Sequence, residues 1–522
     1  MKTGLMTLLL TTVTAVAAPF AHAGADLCTG YVNQGDYVKA IAECTRQIAG
    51  EAAVEKIDVS YNSRGLANYY QGQIDQAIAD YSKAIELNPK YAEAYSNRGV
   101  AYYDKGKFDL AIADYNKTIE LHLGDDLTYN NRGLAYYGKG ELDLAIADFN
   151  KVIELNPKYA EAYNNRGLAE YYKGQFDQAL ADYNKAIELN PAIIVAYANR
   201  GLAYKNKGEL DRAITDYGMA ILLNPKYGEA YNYRGLAYAD KGLYSQAIAD
   251  YTKAIELNPD SDLAYNNRCY AYSLKSAPAQ AIADCSKAIE LNPKFALAYN
   301  NRGVAYFIDG QLDRAVTDYS KAIALSPDFA MAYMNRGLAN HNNGLIDQAI
   351  ADYTKAIELN PDNAESYFSR GNAYNNKGQY AQAMADHRKA IELNPKDEYA
   401  YIHLLIDVWL AKGDDAEAMS KLLLYVYSGN SDDWTRTISN YYLGVLDEQS
   451  VLATAEKGKG EQEKQGRLCE AYYYLGIKRL VSGDRLGARE DFIKSIETNA
   501  KRSFGYGEAK AMLTLIKGGT TI

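Results

Sequence analysis

The chain has 522 residues, 48% of them apolar and 23% charged, which excludes a disordered polymer and leaves ample material for a core. Lys and Arg number 56 against 66 Asp and Glu, a net charge of -10; that is the wrong sign for wrapping a phosphate backbone, so no nucleic-acid partner is expected. Tyr occurs 49 times against 10 Phe and 2 Trp, the mark of one pattern copied many times.

In chain order, residues 1–23 come first. Lys2, an apolar run from Leu5 to Ala18, Pro19 and then Ala21-His22-Ala23 read as the charged end, hydrophobic region and small-residue cleavage site of a signal peptide cut after Ala23. The run is shorter than the roughly 18 to 20 residues that cross a bilayer, and no later segment comes close, so the expectation is a periplasmic or secreted chain without a membrane span. Ala25-Asp26-Leu27 before Cys28 do not resemble a lipobox, and no lipid anchor is expected. Residues 24–57 read as a degenerate capping unit, because Ala40-Ile41-Ala42-Glu43-Cys44 mimics a motif found later as Ala77-Ile78-Ala79-Asp80-Tyr81.

From 58 to 397 the chain repeats with a period of 34. Arg-Gly ends a triplet at Gly65, Gly99, Gly133, Gly167, Gly201, Gly235, Gly303, Gly337 and Gly371, with Cys269 in the missing slot, so ten units run in phase. With this residue as position 8, position 4 is Tyr in all ten units and position 20 is Ala in all ten; position 15 is Gly in nine (Ser276 differs) and position 32 is Pro in nine (Leu123 differs). Positions 4, 7, 8 and 11 recur at helical spacing, Gly at position 15 breaks the chain, positions 20, 24 and 27 recur again, and Asn-Pro ends the second helix. Each unit is thus predicted to be an antiparallel helix pair, unable to bury its apolar stripe without neighbours.

This pattern resembles the tetratricopeptide repeat. The resemblance implies an all-α solenoid of stacked antiparallel helix pairs, coiled into a right-handed superhelix with a concave groove, and a non-catalytic protein-interaction scaffold. After 397 the phase decays: residues 398–468 read as a degenerate helical segment, with a helix from Trp434 to Leu443 and a charged connector from Glu456 to Gln465. Residues 469–522 read as a terminal unit, with Tyr472, Gly476, Gly483, Ala488 and Phe492 in repeat positions, and a capping helix. This last part resembles the ends of bacterial envelope tetratricopeptide proteins, including adaptor lipoproteins.

An antiparallel pair brings together positions of constant sum, such as 8 with 24. Cys269 and Cys285 occupy those slots in the seventh repeat, and Cys28 and Cys44 share their spacing in the first unit, so intra-repeat disulfides are expected, with pairs of buried thiols as the alternative. Cys469 is left over. Arg at position 7 and Asp at position 23 in all ten repeats are expected to form a ladder of ion pairs.

The resemblance places positions 2, 5, 6, 9, 12 and 13 on the groove. Position 6 is Asn at Asn97, Asn131, Asn165, Asn199, Asn267, Asn301 and Asn335, and an amide both gives and takes a hydrogen bond, as a peptide unit requires. The column resembles the asparagine ladder of O-GlcNAc transferases, which holds substrate backbone. Positions 12 and 13 add Tyr69, Tyr70, Tyr103, Tyr137, Tyr171, Tyr172 and Phe307, rigid aromatic anchors concentrated in the first four repeats. Both sets are candidate peptide contacts, against the alternative that duplicated units simply share them. Glu at position 2 (Glu93, Glu161, Glu229, Glu365) disfavours the family's clamp for acidic chain termini.

His122, His341, His387 and His403 are far apart in sequence, and no metalloprotease, phosphate-loop or serine-nucleophile motif is present, so no catalytic site, metal or cofactor is expected. The partners expected are proteins bound through extended segments, in a bacterial cell envelope; the alternative is a structural, self-assembling component of a secretion or surface complex.

Overall fold

The structure is a computed structural model and describes residues 27–50, 57–121, 123–413, 415–427, 433–500 and 503–517; the signal-peptide reading of 1–23, and His122, lie outside the described residues. Among the described residues every regular element is an α-helix, 29 in all. The chain divides into two compact units, Met1–Leu243 and Tyr244–Ile522.

In the first unit a short helix pair, Leu27–Asn33 and Tyr37–Ile48, precedes the repeats, and each repeat then supplies two helices, as in Asp126–Lys139 and Leu142–Leu155. The turn between the two helices needs a left-handed residue, which Gly supplies, as at Gly140 with φ 84°. In the second unit Ser276 adopts the same conformation at φ 56°, so the turn persists where the glycine is missing. The second helix ends at an extended residue such as Asn156, φ -140°, as expected for a residue before proline.

The Gly at position 8 is explained by closeness rather than by dihedral freedom. A Cβ on Gly65 would lie 2.7 Å from the Tyr81 ring, and one on Gly303 would lie 2.6 Å from Tyr319. The ring at position 24 is correspondingly buried: Tyr81, Tyr183 and Tyr353 are all fully enclosed. Where the aromatic is replaced by Cys, a Cβ at position 8 fits and the two sulfurs meet. Cys269 and Cys285 form a disulfide with Cα atoms 5.5 Å apart, and Cys28 and Cys44 form another at 5.0 Å. Cys469 is a buried free thiol.

At least nine of the ten repeats hold the Arg/Asp pair in bidentate form, as in Arg132 Nη2 to Asp148 Oδ1 at 2.6 Å and Arg132 Nε to Asp148 Oδ2 at 2.7 Å. Nη1 of these arginines donates to position 25 of the preceding repeat, for instance to Asn116, Asn150, Ser286 and Thr354 at 2.6 to 3.2 Å. The guanidinium also lies over the position-4 ring, 5.4 Å from the Tyr129 centroid. One arginine thus ties both helices of its own repeat to the repeat before it.

The second unit ends in a larger apolar core that includes Ile402, Leu405, Trp434, Ile438, Tyr474 and Phe492. Its helices correct the expected connector at 456–465. Glu448–Ala455 forms a helix, and a 21-residue helix begins at Glu461. Glu461 and Glu463 favour the start of that helix through its dipole, and the pairs Gln465 to Glu461 and Arg467 to Glu463 brace its first turns.

Candidate peptide-binding groove

The asparagines at position 6 lie on the first helices, and the structure spends much of their hydrogen bonding between repeats. Asn199 Nδ2 donates to Asn164 Oδ1 at 2.9 Å, Asn164 Nδ2 to Asn165 Oδ1 at 3.3 Å, and Asn165 Nδ2 to Asn130 Oδ1 at 3.1 Å. A second chain runs Asn335 to Asn300 to Asn301 to Asn266 at 3.0, 3.3 and 2.9 Å, and Asn97 donates to Asn62 at 3.1 Å. The partners at position 5 were absent from the sequence reading, although Asn recurs there. Asn131, Asn165, Asn199 and Asn301 are buried, whereas Asn97, Asn267 and Asn335 keep part of their surface. The buried amides therefore fix the register of one repeat on the next, and Asn97 and Asn335 do so as well while half-buried.

The tyrosines are engaged in a similar way. Tyr69 donates to Asp104, Tyr171 accepts from Asn206, and Tyr103 packs on Phe108 with ring centroids 5.5 Å apart. Tyr137, 3% exposed, meets Tyr172 edge-on. Burial pushes the Tyr103 and Tyr171 phenols up to about 12.

At groove positions the first unit exposes Tyr70, which stacks on Tyr37, and the second unit exposes more. Leu263, Tyr270, Leu274 and Met331 are exposed, Tyr270 by 47% and Met331 by 51%. Tyr270, Val304, Met331 and Met334 wall a depression of 290 Å³ over Asn300, Asn301 and Asn335, with Glu365 also lining it.

Further along, the groove positions are already covered. The C-terminal helix Phe504–Lys517 packs on Ala330–Asn342, Gly507 meets Asn342, and Glu508 Oε1 lies 3.6 Å from His341 Nε2. Asn376 bonds His341 at 2.6 Å, Asn375 donates to Asp407, and Asp407 lies 2.6 Å from His387 Nδ1. Burial pushes Glu508 up to about 8 and His341 down to about 4, and it holds His403 well below the usual imidazole range. Three histidines scattered in sequence are thus gathered into one buried polar core, with the His387 and His403 rings 5.6 Å apart. Among the described residues no group of three or more His, Cys, Asp and Glu could hold a metal ion, and no helix is long and apolar enough to cross a membrane.

A tetratricopeptide repeat family matches residues 92–122, 127–159, 160–192, 194–227, 228–261, 263–295, 330–363 and 364–397, more than half of the chain. The chain belongs to the tetratricopeptide repeat family. A related TPR repeat family matches 65–106 and 305–344, and a further tetratricopeptide family matches 285–317. No curated protein matches the chain. Among solved structures, a tetratricopeptide repeat protein from Parabacteroides merdae is similar at 24% identity and TM-score 0.39, over 45% of this chain and 93% of that one. The Cut9-Hcn1 hetero-tetramer of the APC/C is similar at 16% identity and TM-score 0.43, over 72% and 88%. YrrB, described as a TPR protein with an unusual peptide-binding site, is similar at 26% identity and TM-score 0.31, over 35% and 95%. As a tetratricopeptide repeat protein, the chain is a protein-interaction scaffold.

Proposed function

We propose that this tetratricopeptide repeat protein is a non-catalytic adaptor of the bacterial cell envelope that holds extended peptide segments of partner proteins in its groove. The observation that carries this reading is the exposed apolar surface of Leu263, Tyr270, Leu274 and Met331 on first-helix positions, beside the half-buried side chains of Asn267 and Asn335. An apolar side chain of a ligand gains burial there, while its backbone finds groups that both donate and accept. The two disulfides and the signal-peptide pattern of residues 1–23 support an oxidising compartment.

The test is capture from a bacterial envelope extract by residues 24–522, compared with a Tyr270→Ala, Met331→Ala double variant that melts at the same temperature. Partners held by the parent and lost by the variant place binding on this groove. Equal capture by both proteins would move binding to another face.

A further inference from the structure

The depression in the second unit is small. At 290 Å³ it sits at the lower edge of the roughly 300 to 1,000 Å³ typical of small-molecule sites, so it has room for a side chain or two of an extended ligand and not for a large cofactor. Met331 and Met334 are flexible and polarizable walls that adapt to aliphatic or aromatic groups alike. Glu365 also lines the depression, is exposed, and has no ion-pair partner among the described residues.

The rest of that face is uncharged. At groove positions of repeats seven to ten the other residues are apolar, amide or hydroxyl-bearing, apart from the buried His341. In the first unit, Glu93, Glu161 and Glu229 hold the same register without an ion-pair partner among the described residues. The one basic side chain at these positions there, Lys205, is bound to Asp240 at 2.8 Å. A face made of carboxylate, amide and apolar groups repels an acidic ligand and leaves its own negative charge to be matched.

We propose that the depression lined by Tyr270, Met331, Met334 and Glu365 takes an extended peptide in which an apolar side chain stands beside a lysine or arginine. This rests on the reading of the groove as a peptide surface and specifies its ligand: the apolar group fills the space between Tyr270 and the methionines, and the cation meets Glu365.

The experiment uses the full chain with its disulfides oxidised and three fluorescent 12-residue peptides, alternating Leu with Arg, Leu with Gln, and Gly with Arg, followed by anisotropy at 0.15 and 0.5 M salt. The Leu/Arg peptide is expected to bind about 3- to 10-fold tighter than Leu/Gln at the lower salt, a preference that Glu365→Gln and the higher salt both erode. Met331→Ala weakens both Leu peptides, and Glu86→Gln, on the exposed outer face, leaves the preference intact. Equal binding of Leu/Gln and Leu/Arg overturns the basic preference while leaving a peptide groove. Gly/Arg binding as tightly as Leu/Arg overturns it as well, since general attraction to an acidic chain then suffices. If neither Leu peptide binds, the proposal and the groove reading fail together.

Discussion

The grooves of the two units are built on one framework and finished differently. In the first unit the tyrosines at position 12 are engaged by neighbouring side chains: Tyr69 by Asp104, Tyr103 by Phe108, Tyr137 by Tyr172. In the second unit Leu263, Tyr270 and Met331 stand exposed, and the C-terminal helix covers the next stretch at His341 and Asn342. The framework positions 4, 7, 8 and 23 scarcely change between units, because the ring against glycine and the Arg/Asp pair are needed wherever two helices pack. Groove positions are free of that demand and vary from repeat to repeat.

The largest effect should therefore be the same in both units. Asp148→Ala in the first and Asp318→Ala in the second each leave a guanidinium without its carboxylate, and the expected loss is about 2 to 4 kcal/mol, below the full cost of a buried ion because Arg132 and Arg302 are partly solvated. Urea unfolding checks this; a loss confined to one unit would break the idea of a shared framework. Reduction of the Cys269–Cys285 or Cys28–Cys44 bond is expected to cost about 2 to 3 kcal/mol by the chain-entropy account, read as a lower melting temperature in dithiothreitol that Cys-to-Ala pairs reproduce. Asn164→Ala and Asn300→Ala each cut an amide chain at its middle and should cost about 1 to 3 kcal/mol, Asn164 the more because both its neighbours are buried whereas Asn335 beside Asn300 is half-buried. A neutral result would return these amides to the role of ligand contacts.

The smallest expected effect is in pH dependence. Burial raises Glu508 to about 8, and burial with the neighbouring Asp182 raises Glu170 to about 7, from an ordinary value near 4.5. Both are held protonated in the folded chain, so their contribution is complete below pH 4.5 and is lost as pH rises, up to about 7 for Glu170 and about 8 for Glu508. Glu170→Gln and Glu508→Gln should gain on the parent across those windows, measured as melting temperature from pH 4.5 to 8.5. A gain that shrinks with rising pH would contradict the assignment.

The repeat framework was legible in the sequence because it is local and periodic. Arg132 and Asp148 could be paired from helix geometry alone, and so could Cys269 and Cys285. The burial of Asn165 was not legible, since it depends on Asn130 of another repeat approaching to 3.1 Å. The Arg partners at position 25 did leave a signal, as Ser82, Asn116, Thr252 and Ser320 show: a small hydrogen-bonding residue in eight of the ten repeats, Gly218 and Arg388 being the exceptions. The cover over His341 comes from Glu508, 167 residues away in the chain, and no periodicity reports such a contact. The charge that marks 456–465 as a connector does not tell its two halves apart: from Glu461 those charges sit at helical spacing and brace a helix.

The most direct test of the account compares the two grooves by photo-crosslinking. A benzophenone amino acid is placed at position 270 in one protein and at 171 in another, and each is irradiated in envelope extract. The account predicts discrete protein adducts from 270 and few or none from 171, where the native tyrosine is already held by Asn206. Adducts from 171 with none from 270 would contradict it and return the binding surface to the tyrosine-lined groove of the first unit.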